Sequence, residues 1–216
     1  MPVGSNPIKT SIPCYLWTDA ILNPEKMTAT TMGVKGVDKL RAGIKMVVNQ
    51  AGQALLNQHG DINRTRKILA DDTLCETIVV IDNHMTPSAK FADILLPETS
   101  YLEAEDLVDS SYSTGSHNYM IAIQKTITPM WEVRSTYDIC ADIADHLGLK
   151  EKFTEGRTQA QWVEKHYQQV KEKRAYLPEW SVVKEKGVID QQIATEKQSI
   201  AFLDFRADPQ ANPLKT

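Results

Sequence analysis

The stretch Thr77–Asp106, TIVVIDNHMTPSAKFADILLPETSYLEAED, decides how the rest of the chain is read. It opens on Ile78-Val79-Val80-Ile81, a short apolar run with no polar member. A half-exposed strand would alternate, so this one is predicted to be covered on both faces, as in a parallel sheet. The run stops at Asp82, placed at the strand's carboxyl end. Ligands bind at that end of open α/β sheets, and an acid there can accept hydrogen bonds from a ribose or a purine edge. Thr86-Pro87-Ser88 then reads as a helix start, a hydroxyl cap followed by proline. A helix N-terminus would make phosphate a plausible neighbour. The chain returns through Ala92-Asp93 into Ile94-Leu95-Leu96, a second apolar strand closed by Pro97. Strand, acidic turn, capped helix and strand make half of a nucleotide site.

Working outward, Ile44–Val48 is the first strand candidate, ending at Asn49-Gln50-Ala51-Gly52-Gln53. Gly52 would allow a positive φ or a close backbone approach to a ligand. On spacing alone a plain polar turn is the simpler reading. Asp61 caps a helix running from Ile62 to about Ala70, and Asp71-Asp72 should turn the chain, since acids oppose the dipole at a helix C-terminus. These elements predict a βαβ unit with Ile78–Ile81, extended by Ile94–Leu96. The fold class is therefore α/β: a Rossmann-like parallel sheet flanked by helices, with a helical C-terminal extension.

Residues 1–43 form an irregular lead-in, broken by Pro2, Pro7, Pro13 and Pro24, with short helical turns at Thr18–Leu22 and Asp38–Leu40. Glu98–Asp109 carries five acids and reads first as a solvated loop. General acid–base work is the sharper alternative, but no histidine or nucleophile is patterned with them. Tyr119–Ile127 is a strand, and Ser135 or Thr136 starts a helix to Leu147 with Ile139, Ile143 and Leu147 on one face. A helix from Thr158 to about Arg174 turns Trp162, Tyr167 and Val170 inward. Glu179–Lys186 is a short helix, and Ser199–Phe205 a final strand. The domain reading is an α/β domain with a nucleotide-type site over 1–150 and a helical extension with a final strand over 151–216.

Composition bounds the function. The chain has 216 residues, 42% hydrophobic, 24% charged, with a formal net charge of −4, which suits a globular protein and not a nucleic-acid binder. No apolar stretch approaches the ~18–20 residues that span a bilayer. The opening residues MPVGSNPIKTSIP lack the regions of a signal peptide. Cys14, Cys75 and Cys140 stand singly and are expected to be small core residues, not ligands to zinc or an iron–sulfur cluster. The five histidines follow no metal spacing. A Gly-x-Gly-x-x-Gly fingerprint is absent after the first strand, which argues against a nicotinamide-dependent oxidoreductase.

An apolar strand, Asp-x-x-x-Thr, a short alanine-containing helix and Ala-Asp-Ile-Leu-Leu-Pro together resemble the molybdopterin oxidoreductases of the dimethyl sulfoxide reductase family. Flanking segments carry the same resemblance: SIP at 11–13, LWTDAI at 16–21, NQH at 57–59, INRT at 62–65, FTEGRTQ at 153–159 and DPQANPL at 208–214. The resemblance implies a bis-molybdopterin guanine dinucleotide cofactor carrying molybdenum, with this chain cradling one dinucleotide. It places Asn49, Gly52 and Gln53 near the phosphates or pterin, Asp82 and Thr86 at the guanosine end, and Asp106 completing that pocket. The parent reaction it implies is two-electron reduction of an S-oxide or N-oxide in anaerobic respiration, selenate being handled by close relatives. The implied partners are the rest of a catalytic subunit with its own iron–sulfur cluster, an iron–sulfur electron-transfer subunit and a membrane anchor subunit. The implied location is the periplasmic side of a bacterial cytoplasmic membrane. The family's cysteine cluster, its molybdenum-ligating serine segment and its C-terminal barrel are not in these 216 residues. The resemblance therefore implies an excised segment, inert alone; a stand-alone molybdopterin carrier is the alternative.

Overall fold

The computed structural model describes residues 6–51, 54–57, 60–109, 119–190 and 201–213. Its centre is β2 (Thr77–Asp82), in which every residue from Ile78 to Asp82 is buried. Strand β1 (Met46–Gln50) pairs parallel to it on one side and β3 (Ile94–Pro97) on the other. The apolar runs do form the predicted parallel sheet. The first strand, however, starts two residues later than Ile44 and takes in Asn49 and Gln50.

Helices α1 (Trp17–Leu22), α3 (Ala54–Asn57) and α4 (Ile62–Leu69) pack one face of the sheet. Ile21, Leu55, Leu56, Ile68, Leu69, Ile78 and Val80 form that core. Asp61 caps α4 as expected, its carboxylate accepting from the Arg64 N–H at 3.0 Å. Asp71 accepts from the Thr73 N–H and hydroxyl, making the anticipated turn.

The connection 83–93 corrects the sequence reading. Thr86 does accept from the Ala89 N–H at 3.1 Å. Only a single 3₁₀ turn, Ala89–Phe91, follows. The link spans only residues 83–93 and its helical part stops after that one turn, so a full-helix phosphate site at Thr86 is not built. Asp93 finishes the link by bonding Ile78 twice, its N–H to the Ile78 carbonyl and its carboxylate from the Ile78 N–H.

The acidic run also differs from a solvated loop. Asp106–Asp109 is β4, antiparallel to β5 (Tyr119–Ile123), which in turn pairs with β6 (Val188–Asp190). Leu107, Met120, Ala122 and Ile189 of this second sheet pack on α7 (Gln159–Lys173) and α8 (Trp180–Lys186) through Val163, Tyr167, Trp180 and Val183. This core draws on both sides of residue 150.

Several side chains sit differently from the helical-face expectation. In α5 (Thr136–His146) Ile139, Ala141 and Ala144 are the buried residues, while Ile143 and Leu147 are exposed. The latter two join Leu96, Pro97 and Ile139 in an apolar concavity of about 400 Å³. After α6 (Lys150–Thr154), Trp162 stays half-buried because its indole N–H reaches the Thr154 carbonyl and Lys165 and Arg157 cover its ring. Cys75 is buried, but Cys14, in a surface turn, is exposed and Cys140 is half-buried. In the lead-in, α2 (Ala29–Met32) is helical, whereas Asp38–Leu40 is not; it bridges back to Met27–Ala29 through backbone hydrogen bonds. The expected final strand is also absent over its described part: α9 (Leu203–Ala207) forms instead, with Asp204 and Arg206 placed to suit the helix dipole. Residues 199–200 lie outside the described residues.

Candidate functional site

The carboxyl ends of β1, β2 and β3 open into a cleft of about 460 Å³. Gln50 and Ala51 come from the end of β1, Asp82 and Asn83 from β2, and Glu98–Tyr101 from β3. The opposite wall is Asp106, Ile123, the first residues of α5 (Ser135, Thr136, Tyr137) and Gln159 of α7. Its lining carries three carboxylates and no lysine or arginine among the described residues.

Asp82 is 8% exposed. Its Oδ1 accepts from the His84 N–H at 3.1 Å, which bends the chain out of β2. Its Oδ2 is shielded and accepts no hydrogen bond. A buried acceptor without a donor costs about 1–3 kcal/mol, which a donor brought by a ligand would recover. Register sets Asp82 beside Pro97, and the Glu98 N–H donates to the Asp82 carbonyl. The two acids are thus neighbours at adjacent strand ends. Glu98 Oε1 accepts from the Thr136 hydroxyl and, at 3.4 Å, from the Gln50 amide. Asp106 caps its own strand, Oδ1 accepting from the Leu107 N–H at 2.7 Å.

Behind this wall lies Glu103, 8% exposed. Its carboxylate accepts from the Ser100 N–H (2.9 Å), the Ser100 hydroxyl (2.8 Å) and the Met130 N–H (3.0 Å). The Ser100 and Met130 amides hold its carboxyl below the usual glutamate range.

Of the residues singled out in the sequence, Asp82 and Asp106 line this cleft together. Asn49 is buried within β1, and Thr86 caps the 3₁₀ turn; neither lines it. Gly52 and Gln53 lie outside the described residues. Just before them, Ala51 takes the left-handed conformation at φ 51°, with its N–H on the Ile81 carbonyl. Sequence reasoning placed Gln50 in the ligand-facing loop after β1 without singling it out, and missed Glu98, Thr136 and Tyr137. Glu98 had a signal, since it follows the end of β3 as Asp82 ends β2. Thr136 was recognisable as part of a helix start, but only tertiary folding brings that start to the cleft.

A model of the Molybdopterin oxidoreductase family matches residues 20–146, more than half of the chain and all three strands of the parallel sheet. The chain belongs to the molybdopterin oxidoreductase family. Over its whole length it is 45% identical to the dimethyl sulfoxide reductases DmsA of Haemophilus influenzae and Escherichia coli. It is 33% identical, over 96% of its length, to the dimethyl sulfoxide/trimethylamine N-oxide reductase of Cereibacter sphaeroides. The chain spans about a quarter of the length of these relatives: 27%, 26% and 24%. Acetylene hydratase from Pelobacter acetylenicus shares the fold, with a TM-score of 0.59 at 18% identity over 82% of this chain and 20% of that one. Among the described residues, no helix of this family member is long and apolar enough to cross a membrane.

The family implies a molybdopterin cofactor, and the cleft's donor set can be tested against it. Three carboxylates, with one acceptor unfilled, suit a donor-rich neutral group. A guanine edge, with ring N–H and amine side by side, and the hydroxyls of a ribose are such groups. A phosphate would meet no side-chain cation in the described lining. The residues fit a nucleoside end and not a phosphate.

Proposed function

We propose that this chain is the part of a bis-molybdopterin guanine dinucleotide oxidoreductase that holds the guanosine end of one dinucleotide. The observation that carries the reading is the buried, unfilled Oδ2 of Asp82 in a cleft at the strand ends, inside the region the family model matches. In this reading Asp82 accepts from the base, and Asp106 accepts from the base or ribose on the facing wall. Thr86 lies on the guanosine side, and Asn49, Gly52 and Gln53 approach the phosphates or pterin where the chain leaves β1. Glu98, oriented by Thr136 and Gln50, puts a carboxylate beside the first residue of α5, where it would repel a phosphate from the base pocket.

When bound, the cofactor supplies the two-electron chemistry of S-oxide or N-oxide reduction. The names of the relatives support dimethyl sulfoxide or a similar oxide as substrate, in anaerobic respiration. The chain's own residues bind and orient, and none of them is assigned a proton or a metal; alone, it turns over no oxide. The cluster-bearing remainder of the subunit, an iron–sulfur electron-transfer subunit, a membrane anchor and a periplasmic location belong to the same proposal.

A titration of the ¹⁵N-labelled chain tests the pocket. Guanosine should shift the amide signals of Gln50, Asp82, Glu98 and Thr136, and adenosine should shift them far less. No shift, or equal shifts with both nucleosides, would remove the guanosine pocket.

A further inference from the structure

We propose that Glu103 is a positioning residue for this cleft, tying its two loop walls together through a buried carboxylate. The inference rests on the guanosine-pocket reading. One wall is the segment after β3, which contributes Glu98, Thr99, Ser100 and Tyr101 to the cleft. The other begins at Met130 and runs into Thr136 and Tyr137. Glu103 lies in the first without lining the cleft, and its two oxygens divide their partners between the walls. Oε2 takes both Ser100 donors, closing its own loop, and Oε1 takes the Met130 N–H from across the gap.

Backbone hydrogen bonds run alongside this tie. The Thr126 and Ile127 N–H groups donate to the Leu102 carbonyl, and the Thr99 N–H donates to the Arg134 carbonyl. Those bonds fix the height of the walls. Glu103 fixes the turn at Met130-Trp131, where Trp131 is held at φ 57° and is 89% exposed. A bulky aromatic in the left-handed region persists only where its surroundings over-determine it. The amide of the preceding residue, clamped to a carboxylate, is one such constraint. A neutral amide cannot replace the acid. Glutamine has one acceptor oxygen, so its NH₂ would face either the Ser100 or the Met130 N–H, donor against donor.

The test compares wild type with Glu103→Gln in the 216-residue chain, titrated with guanosine, with Glu155→Gln as the control. Glu155 pairs with Arg157 and Lys165 elsewhere on the surface. Glu103→Gln should still unfold cooperatively but bind guanosine about tenfold more weakly, because the wall released at Met130 must be re-ordered when the ligand binds. Its Met130 amide proton should move upfield on losing a carboxylate acceptor, while the β2 amides stay in place. The control should bind as wild type does. If Glu103→Gln does not fold, exchange in the wild type decides: the Met130 amide should be protected, and further protected by guanosine. Unchanged affinity in a folded Glu103→Gln, or rapid Met130 exchange indifferent to guanosine, overturns the positioning role and leaves the pocket reading intact. Absence of guanosine binding by wild type removes both.

Discussion

Ser88→Ala should cost more than a one-atom change suggests. Ser88 has no exposed surface, and its Oγ accepts from the Leu56 N–H at 3.2 Å. That bond joins the β2–β3 link to α3, just after the loop that leaves β1. Leu56 is itself 6% exposed, so no water replaces the lost acceptor. Leaving a buried amide unsatisfied costs about 1–3 kcal/mol. At about 2 kcal/mol, a domain of this size loses roughly 4–8 °C in Tm. Urea unfolding followed by tryptophan fluorescence measures it, with an unchanged m-value showing that the loss is one of stability. Hydrogen exchange at Leu56 should quicken selectively. A loss below about 0.5 kcal/mol with Leu56 exchange unaltered would refute the assignment of that bond as the link between the two loops.

In the second core, Met120 is 1% exposed between the β4–β6 sheet and α8. Met120→Ala should destabilise by about 2–5 kcal/mol in the same urea assay. Glu103, held below the ordinary glutamate range by the Ser100 and Met130 amides, contributes stability that is present above its unfolded value and lost as pH falls through its folded one. Acid titration of stability should therefore show a component below the ordinary glutamate range that Glu103→Gln lacks; identical profiles would contradict it.

The parallel sheet was legible because its determinants are local. Ile78–Ile81 has no polar residue to expose, so burial on both faces follows from the run itself. Asp82 was legible for the same reason, as the first charge after that run. The stop signals were read less well. Thr86-Pro87 looks like the start of a helix, but how far a helix continues depends on where β3 must begin, which is a tertiary constraint. The acids of Glu98–Asp109 look alike in sequence and separate only in space. Glu103 is buried by amide donors, Glu98 faces the cleft, and Asp106 begins a strand whose partners lie at 119–123 and 188–190. Ile143 and Leu147 keep helical spacing with Ile139, yet small Ala141 and Ala144 pack closer and leave the larger pair outside. Periodicity identifies an apolar face, and packing decides how much of it is covered.

The central claim is that Asp82 holds the guanosine end of the cofactor. In the parent enzyme carrying Asp82→Ala, GMP released from the denatured, hydrolysed protein and molybdenum per polypeptide measure that directly. Both should fall about tenfold relative to wild type, the loss of one buried charge-assisted contact. GMP and molybdenum at the wild-type level in a folded Asp82→Ala enzyme would contradict the account.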